Sequence, residues 1–311
     1  MSGRLGGKVV VGVDDSDGAR AAVGWALDEA ARRGARLLAL TTFPVGDYYW
    51  TVAYTPDGRS IEMVQRRAQS RAQELVDEVR SRVVGRGPGA DGTDIEVVAT
   101  AGAAADRLVE WAEREDLLVV GRRGHGAVAG ALLGSVSLRS VMHARCPVVV
   151  VPEGAVPPRD HEPRIVVGVD ASSASRAALT AAGDAARRMD ASVEVVVVLE
   201  PLGPWIDLDD VPGSSEEQLR ESTRRVAETT VTEVFGDEAG RPPVHVLVEV
   251  GHPAHVLSER AAGADLLVVG TRGRATLPGL VLGSVALRCV AQAPCPVMVV
   301  HPGVAATAVT A

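Results

Sequence analysis

The chain has 311 residues, of which 46% are hydrophobic and only 3% aromatic, and its formal net charge is −8. That length holds about two domains of roughly 150 residues each, with cores built from Val, Leu and Ala rather than aromatic rings. An acidic balance argues against nonspecific nucleic-acid or anionic-membrane binding, which favour basic surfaces, and 23% charged residues is too ordinary a share for global disorder.

The N-terminal stretch MSGRLGGKVVVGVDD meets charge too soon to hold the apolar core of a signal peptide. Lys8–Val13 is a near-continuous apolar run, as expected of a strand buried on both faces. A helix follows, with Ala22, Val23, Ala26, Leu27 and Ala30 at helical spacing and Gly34 as its stop. Arg36–Thr41 reads as a second strand, Ile61–Val84 as a long helix with an exposed side, and Asp94–Val98 as a third strand. Ala103–Arg114 reads as a helix, Leu117–Gly121 as a strand, Ser135–His143 as a helix and Pro147–Val151 as the last strand. No apolar run approaches the ~20 residues that span a bilayer. Cys146, Cys289 and Cys295 form an odd, sparse set with no Cys-x-x-Cys spacing, which points to buried thiols in a reducing cytoplasm rather than to disulfides or zinc. His252 and His255 lack a carboxylate or cysteine in a ligand pattern and read as exposed polar residues.

The second half repeats the first. KVVVGVDDSDGARAAVGWALDEAARRGARLLAL, from Lys8, matches RIVVGVDASSASRAALTAAGDAARRMDASVEVV, from Arg164, at an offset of 156. Gly102 and Gly251, and the stretches that follow them, match at an offset of 149, so the first copy carries seven extra residues before Gly102. GRGPGADG, from Gly85, and the loop around Tyr48–Gly58 are where these are expected. Strands are expected near 164–169, 192–199, 244–249, 266–270 and 296–300. Strands alternating with helices give a parallel sheet covered on both faces, here twice: an α/β protein of two tandem flavodoxin-like or Rossmann-like domains with five strands each. The expected bounds are 1–152 and 164–302, joined by a proline-rich linker at 153–163 and followed by a tail at 303–311.

The stretch LLVVGRRGHGAVAGALLGSVS, from Leu117, returns as LLVVGTRGRATLPGLVLGSVA, from Leu266. The shared skeleton is Gly121, Gly124, Gly134 and Ser135 in one copy and Gly270, Gly273, Gly283 and Ser284 in the other. In an open α/β sheet, ligands bind beyond the carboxyl ends of the strands, where the strand order reverses. A glycine loop leading into a helix N-terminus there suits an anion, although Gly-Ser before a helix also serves as a simple stop and cap. No Asp or Glu lies between Gly121 and Pro152, or from Leu266 onward, while Arg122, Arg123, His125, Arg139, His143 and Arg145 do lie in the first of these stretches. A phosphate site wants such an absence. Asp14 and its partner Asp170 follow the first strand of each half; beside the glycine loop, each could accept from ribose hydroxyls, while Ser16 and Ser172 are better placed to cap the next helix. The Lys of a P-loop is missing.

Val-Asp-x-Ser after the first strand, G-x2-G-x9-G-S after the fourth, and Cys-Pro-Val at the last strand (146–148 and 295–297) together resemble the universal stress protein family, and the chain is similar to its tandem two-domain members. The resemblance implies strand order 3-2-1-4-5 and, in members with the glycine motif, ATP at the switch point, often with a divalent metal such as Mg2+. Carried over by position, Asp14 and Asp170 would meet ribose, and backbone near Thr42 and Val198 would meet adenine. Gly121, Gly124, Gly134, Ser135, Val136 and Ser137 would form the phosphate cradle, with Gly270, Gly273, Gly283, Ser284 and Val285 as counterparts. Ala286 stands where the first copy has Ser137, which predicts weaker phosphate or metal contact in the second copy. The resemblance also implies pairing through the last strands, as a homodimer or as a pseudo-dimer within the chain. The function expected is that of an ATP-binding stress-response regulator with one nucleotide per domain, slow or no hydrolysis, and signalling by conformation or through a protein partner. The alternatives are a dimerising scaffold without nucleotide and a slow ATPase.

Overall fold

Five aliphatic runs in each half of the chain meet the demand of a parallel sheet, whose strands are buried on both faces. The computed structural model describes residues 7–43, 59–83, 92–114, 116–125, 132–154, 162–200, 216–236, 241–273 and 282–302. Two compact units divide the chain, Met1–Val156 and Pro157–Ala311.

The first unit contains strands β1 (Val9–Gly12), β2 (Leu37–Phe43), β3 (Ile95–Ala101), β4 (Leu117–Gly121) and β5 (Val148–Val151). Its helices are α1 (Asp17–Arg33), α2 (Arg59–Val83), α3 (Ala104–Trp111) and α4 (Ser135–His143). All its strand pairs are parallel, in the order β3-β2-β1-β4-β5. The second unit contains β6 (Arg164–Gly168), β7 (Ser192–Leu199), β8 (Val244–Val250), β9 (Leu266–Gly270) and β10 (Val297–Val300). Its helices are α5 (Ser173–Met189), α6 (Glu216–Phe235), α7 (Pro253–Arg260) and α8 (Ser284–Gln292), and its order is β8-β7-β6-β9-β10, again parallel throughout. In each unit the helices pack in two pairs, α1 with α2 and α3 with α4, then α5 with α6 and α7 with α8. One pair covers each face of its sheet.

The core is aliphatic, as the composition requires. Val9, Val10, Val11, Leu117, Leu118 and Val119 are fully buried in the first sheet, and Ile165, Val166, Val167, Leu267 and Val268 in the second. Helix α1 stops at Gly34, which takes the left-handed conformation at φ 59° and donates its N–H to the last turn. Asp190 does the same for α5 at φ 51°. Several bounds differ from the sequence expectation. Strand β3 runs on to Ala101 because it stays paired with β2 as far as Phe43. Helix α3 ends at Trp111 rather than Arg114, because Ala112 is already extended. On the outer strand β3, Gln65 and Gln69 of α2 donate side-chain N–H groups to the carbonyls of Ala99 and Val97, both at 3.0 Å. Arg224 of α6 does so to Val246 of β8 at 3.0 Å. These bonds satisfy acceptors that an edge strand would otherwise expose. The loop around Tyr48–Gly58, all of GRGPGADG but Gly92, most of the linker and the tail lie outside the described residues.

Candidate functional site

A strand order of 3-2-1-4-5 reverses direction between β1 and β4, so the residues after these two strands meet at the carboxyl edge of the sheet. Val9, Val10 and Val11 of β1 pair with Leu117, Leu118 and Val119 of β4. That register sets Asp14 beside the glycine loop. The Asp14 carboxylate accepts from the backbone N–H of His125 at 2.8 Å, across the two loops, and from the backbone N–H and the hydroxyl of Ser16. Ser16 in turn accepts from the N–H of Ala19 at 3.1 Å and caps α1. The division of labour expected from the sequence holds: serine caps the helix, and aspartate faces the glycine loop.

The three glycines of the first copy have three different jobs. At Gly121 a Cβ would lie 2.5 Å from the carbonyl carbon of Gly18, so the end of β4 and the first turn of α1 touch backbone to backbone. Gly18 is pressed in turn against the carbonyl of Arg123, where a Cβ would lie 2.2 Å away. At Gly124 a Cβ would sit 2.1 Å from Oδ2 of Asp14, so glycine there leaves room for the carboxylate. Gly134 is the N-cap of α4, with no side chain satisfying the first turn and no acidic residue in it. The first-turn N–H groups, at Ser135, Val136 and Ser137, therefore lack a side-chain cap at a positive helix end. Ser135 is exposed, Val136 half-buried and Ser137 buried.

Ser137, expected in the phosphate cradle, is buried with its hydroxyl already engaged. Its hydroxyl turns inward, within hydrogen-bond distance of the carbonyls of Gly121 (2.7 Å) and Arg122 (3.0 Å). It ties α4 to the end of β4. Replacing Ser137 with alanine is expected to lower stability by about 1 kcal/mol and to leave anion binding at the helix end nearly unchanged, which thermal unfolding and ligand titration of one variant check together. Ala286, buried at the equivalent place, has no hydroxyl to make such a tether.

The second copy is built alike. Gly273 lies beside the carboxylate of Asp170, with a Cβ 2.5 Å from Oδ2, and Gly270 packs on Ala174, the counterpart of Gly18. Gly283 is the uncapped N-cap of α8, and its N–H donates to Thr271 as that of Gly134 does to Arg122. Ser284 is exposed and Val285 half-buried. Asp170 Oδ1 accepts from Ser172 N at 3.1 Å. Thr42 and Val198 are half-buried near the carboxyl ends of β2 and β7, on the same edge as the aspartates. Residues 126–131 and 274–281, the middles of both glycine stretches, lie outside the described residues.

Two blocks of this chain, residues 7–152 and 163–301, match the universal stress protein family. The chain belongs to that family. A universal stress protein of Mycolicibacterium smegmatis is 32% identical over 306 residues, covering 94% of this chain and 97% of its own. A universal stress protein of Mycobacterium tuberculosis is 33% identical over 297 residues, with 94% and 95% covered. Among solved structures, a universal stress protein from Archaeoglobus fulgidus superposes with a TM-score of 0.63 at 20% identity, covering 95% of this chain and 96% of that one. At that identity the likeness establishes the fold alone.

Within this family member, the local charge is more balanced than the sequence implies. Arg139 pairs with Asp106 at 3.0 Å and Arg123 lies 3.9 Å from Glu153, so acids from outside the glycine stretch neutralise part of its basic set. A cleft of about 330 Å³ lined by Asp106, Val109, Glu110, Arg139 and His143 lies between α3 and α4, apart from the glycine loop. Its Arg139 is held by Asp106, and Glu110 by Arg107. Cys146, Cys289 and Cys295 are buried thiols that form no disulfide. Burial pushes the thiols of Cys146 and Cys289 up to about 12, with Asp116 adding to the rise at Cys146. Both stay protonated at neutral pH and are poor nucleophiles. Their contribution to stability is complete below pH 9 and is lost as pH climbs from there through 12.

Sequence reasoning missed Gly18 and Arg20. The repeat carried a signal for the first, since Ala174 is also small; for Arg20 the counterpart is Arg176, and nothing in the sequence tells what either one holds. Among the described residues no helix is long and apolar enough to cross a membrane.

Proposed function

We propose that each unit binds one ATP at its switch point and that the protein works as a regulator that holds nucleotide. The observation that carries this is the meeting of three features in each copy: a carboxylate at the end of the first strand, a glycine loop shaped around it, and a helix N-terminus with no side-chain cap. Asp14 or Asp170 would accept from ribose hydroxyls, and the first-turn N–H groups at Ser135, Val136 and Ser137, or at Ser284 and Val285, would meet phosphate. Thr42 and Val198 stand where adenine would lie. ATP bound there supplies its own triphosphate charge. Mg2+ would arrive with the nucleotide, on its triphosphate.

Holding rather than cleaving fits the residues at hand. Hydrolysis needs an oriented water or a base near the last phosphate. His125 is the acid–base side chain that the first glycine loop offers, and the second copy has Arg274 there. Pairing through the last strands, between copies or within one chain, belongs to the same proposal, as does a protein partner that reads the bound state.

One observation favours a scaffold without nucleotide: Asp14 already accepts from His125 and Ser16. An ionised carboxylate has about four acceptor positions, so capacity for a ribose hydroxyl is left. Heating the chain with and without ATP and Mg2+ separates the two. A ligand at 100 times its Kd adds about 2.7 kcal/mol, so the unfolding midpoint should rise by several degrees. An unchanged midpoint at millimolar ATP would favour the scaffold.

A further inference from the structure

The residue after each site aspartate has an unusual backbone. Asp15 has φ 65° and Ala171 has φ 63°, both in the left-handed region, which side-chain-bearing residues adopt at a cost. This turn makes Asp14 useful: it brings Ser16 N onto Asp14 Oδ1 and leaves Oδ2 facing His125.

In the first unit something holds the turn. Arg20 donates from Nη1 to the carbonyl of Asp15 at 2.8 Å and from Nη2 to Asp15 Oδ1 at 2.9 Å. Two donors of one planar group grip the backbone and the side chain of the strained residue together, a geometry that suits guanidinium and that an ammonium cannot reproduce. Asp17 of α1 and Glu78 of α2 each lie 3.8 Å from the same group. In the second unit Ala171 has no carboxylate to grip, and the counterpart Arg176 pairs with Glu233 of α6 at 2.7 Å instead. Asp170 is thus aimed by a turn that lacks this clamp.

We propose that Arg20 is a positioning residue of the first site, holding Asp15 in the left-handed turn that aims Asp14 at the glycine loop, and that this clamp makes the first site better organised than the second. Its consequence for ligand rests on the ATP reading, but the clamp itself acts on the free protein.

The test uses the full chain and two readouts. One is amide exchange at His125 without ligand, since that N–H bonds to Asp14. The other is titration with ATP and Mg2+ in an Asp170→Ala background, so that the first site is observed alone. Arg20→Ala should speed His125 exchange about fivefold and weaken ATP by a similar factor. Adding Asp15→Gly to Arg20→Ala should restore both, because glycine takes the left-handed turn unaided. Arg20→Lys should fall between wild type and Arg20→Ala, and exchange at Gly273 should not move. A merely structural Arg20 would lower the unfolding midpoint and leave His125 exchange as it was. Unchanged His125 exchange in Arg20→Ala, or no recovery with Asp15→Gly, overturns the proposal. Faster exchange in a protein that binds no ATP upholds the clamp and overturns the ATP reading.

Discussion

Gly121→Ala is expected to destabilise the first unit by about 1–3 kcal/mol, the usual cost of forcing atoms into a filled core. The new methyl would lie 2.5 Å from the carbonyl carbon and 2.6 Å from the oxygen of Gly18. Both are backbone atoms, so no side chain can swing away. Helix α1 would have to lift from β4, yet its first turn is also pressed on the Arg123 carbonyl. Lifting it moves Ser16 and, through Ser16, the Asp14 carboxylate. The variant should therefore lose ligand binding at the first site together with stability. Unfolding followed by calorimetry should show a lower midpoint for the first unit, with the second unit unchanged. The second unit offers an internal comparison: Ala174 stands at the Gly18 position and Gly270 opposite it, with a Cβ at Gly270 placed 2.8 Å from that alanine. One methyl at the α-helix side is tolerated when the strand side keeps glycine. A Gly121→Ala chain as stable as wild type would mean that this contact is softer than the geometry says.

Asp14→Ala should weaken ATP at the first site by about tenfold to a hundredfold, the range for hydrogen bonds to a charged group. Two losses combine: the ribose hydroxyls lose their acceptor, and the His125 N–H loses the bond that orders the glycine loop. A ligand change separates them. Wild type should bind ATP more tightly than 2′,3′-dideoxy-ATP, and Asp14→Ala should bind the two equally, because a coupling that vanishes when either partner is removed belongs to that pair. Asp170→Ala should do the same at the second site and leave the first alone. A variant that still prefers ATP would place the ribose elsewhere.

The architecture was legible because its causes are local. Aliphatic runs such as Val9–Val11 and Leu117–Val120 announce buried parallel strands, and the duplicated order of strands and helices announces two units. Asp14 and Gly134 were legible as well, since the end of a strand and a Gly-Ser step before a helix carry their meaning in a few neighbouring residues. One reason for glycine at Gly121 was not legible: a Cβ there would meet Gly18, which is distant in sequence and adjacent only because α1 crosses β4. The direction of the Ser137 hydroxyl was hidden for the same reason. A serine in the first turn of a helix has no fixed side-chain direction until the helix is seated, and seating turns the hydroxyl onto the carbonyls of Gly121 and Arg122. The Arg20 clamp needs both a strained φ at Asp15 and a side-chain direction, and periodicity reports neither.

The central claim is that each unit holds one nucleotide through its own aspartate. Native mass measurement of the full chain in ATP and Mg2+, counting nucleotides per chain, addresses it directly. At ATP a few times the wild-type Kd, where a site weakened about tenfold or more stays mostly empty, the expected counts are two for wild type, one for Asp14→Ala or Asp170→Ala, and none for the chain carrying both changes. A wild-type chain with no nucleotide, or a doubly changed chain that still carries two, would contradict it.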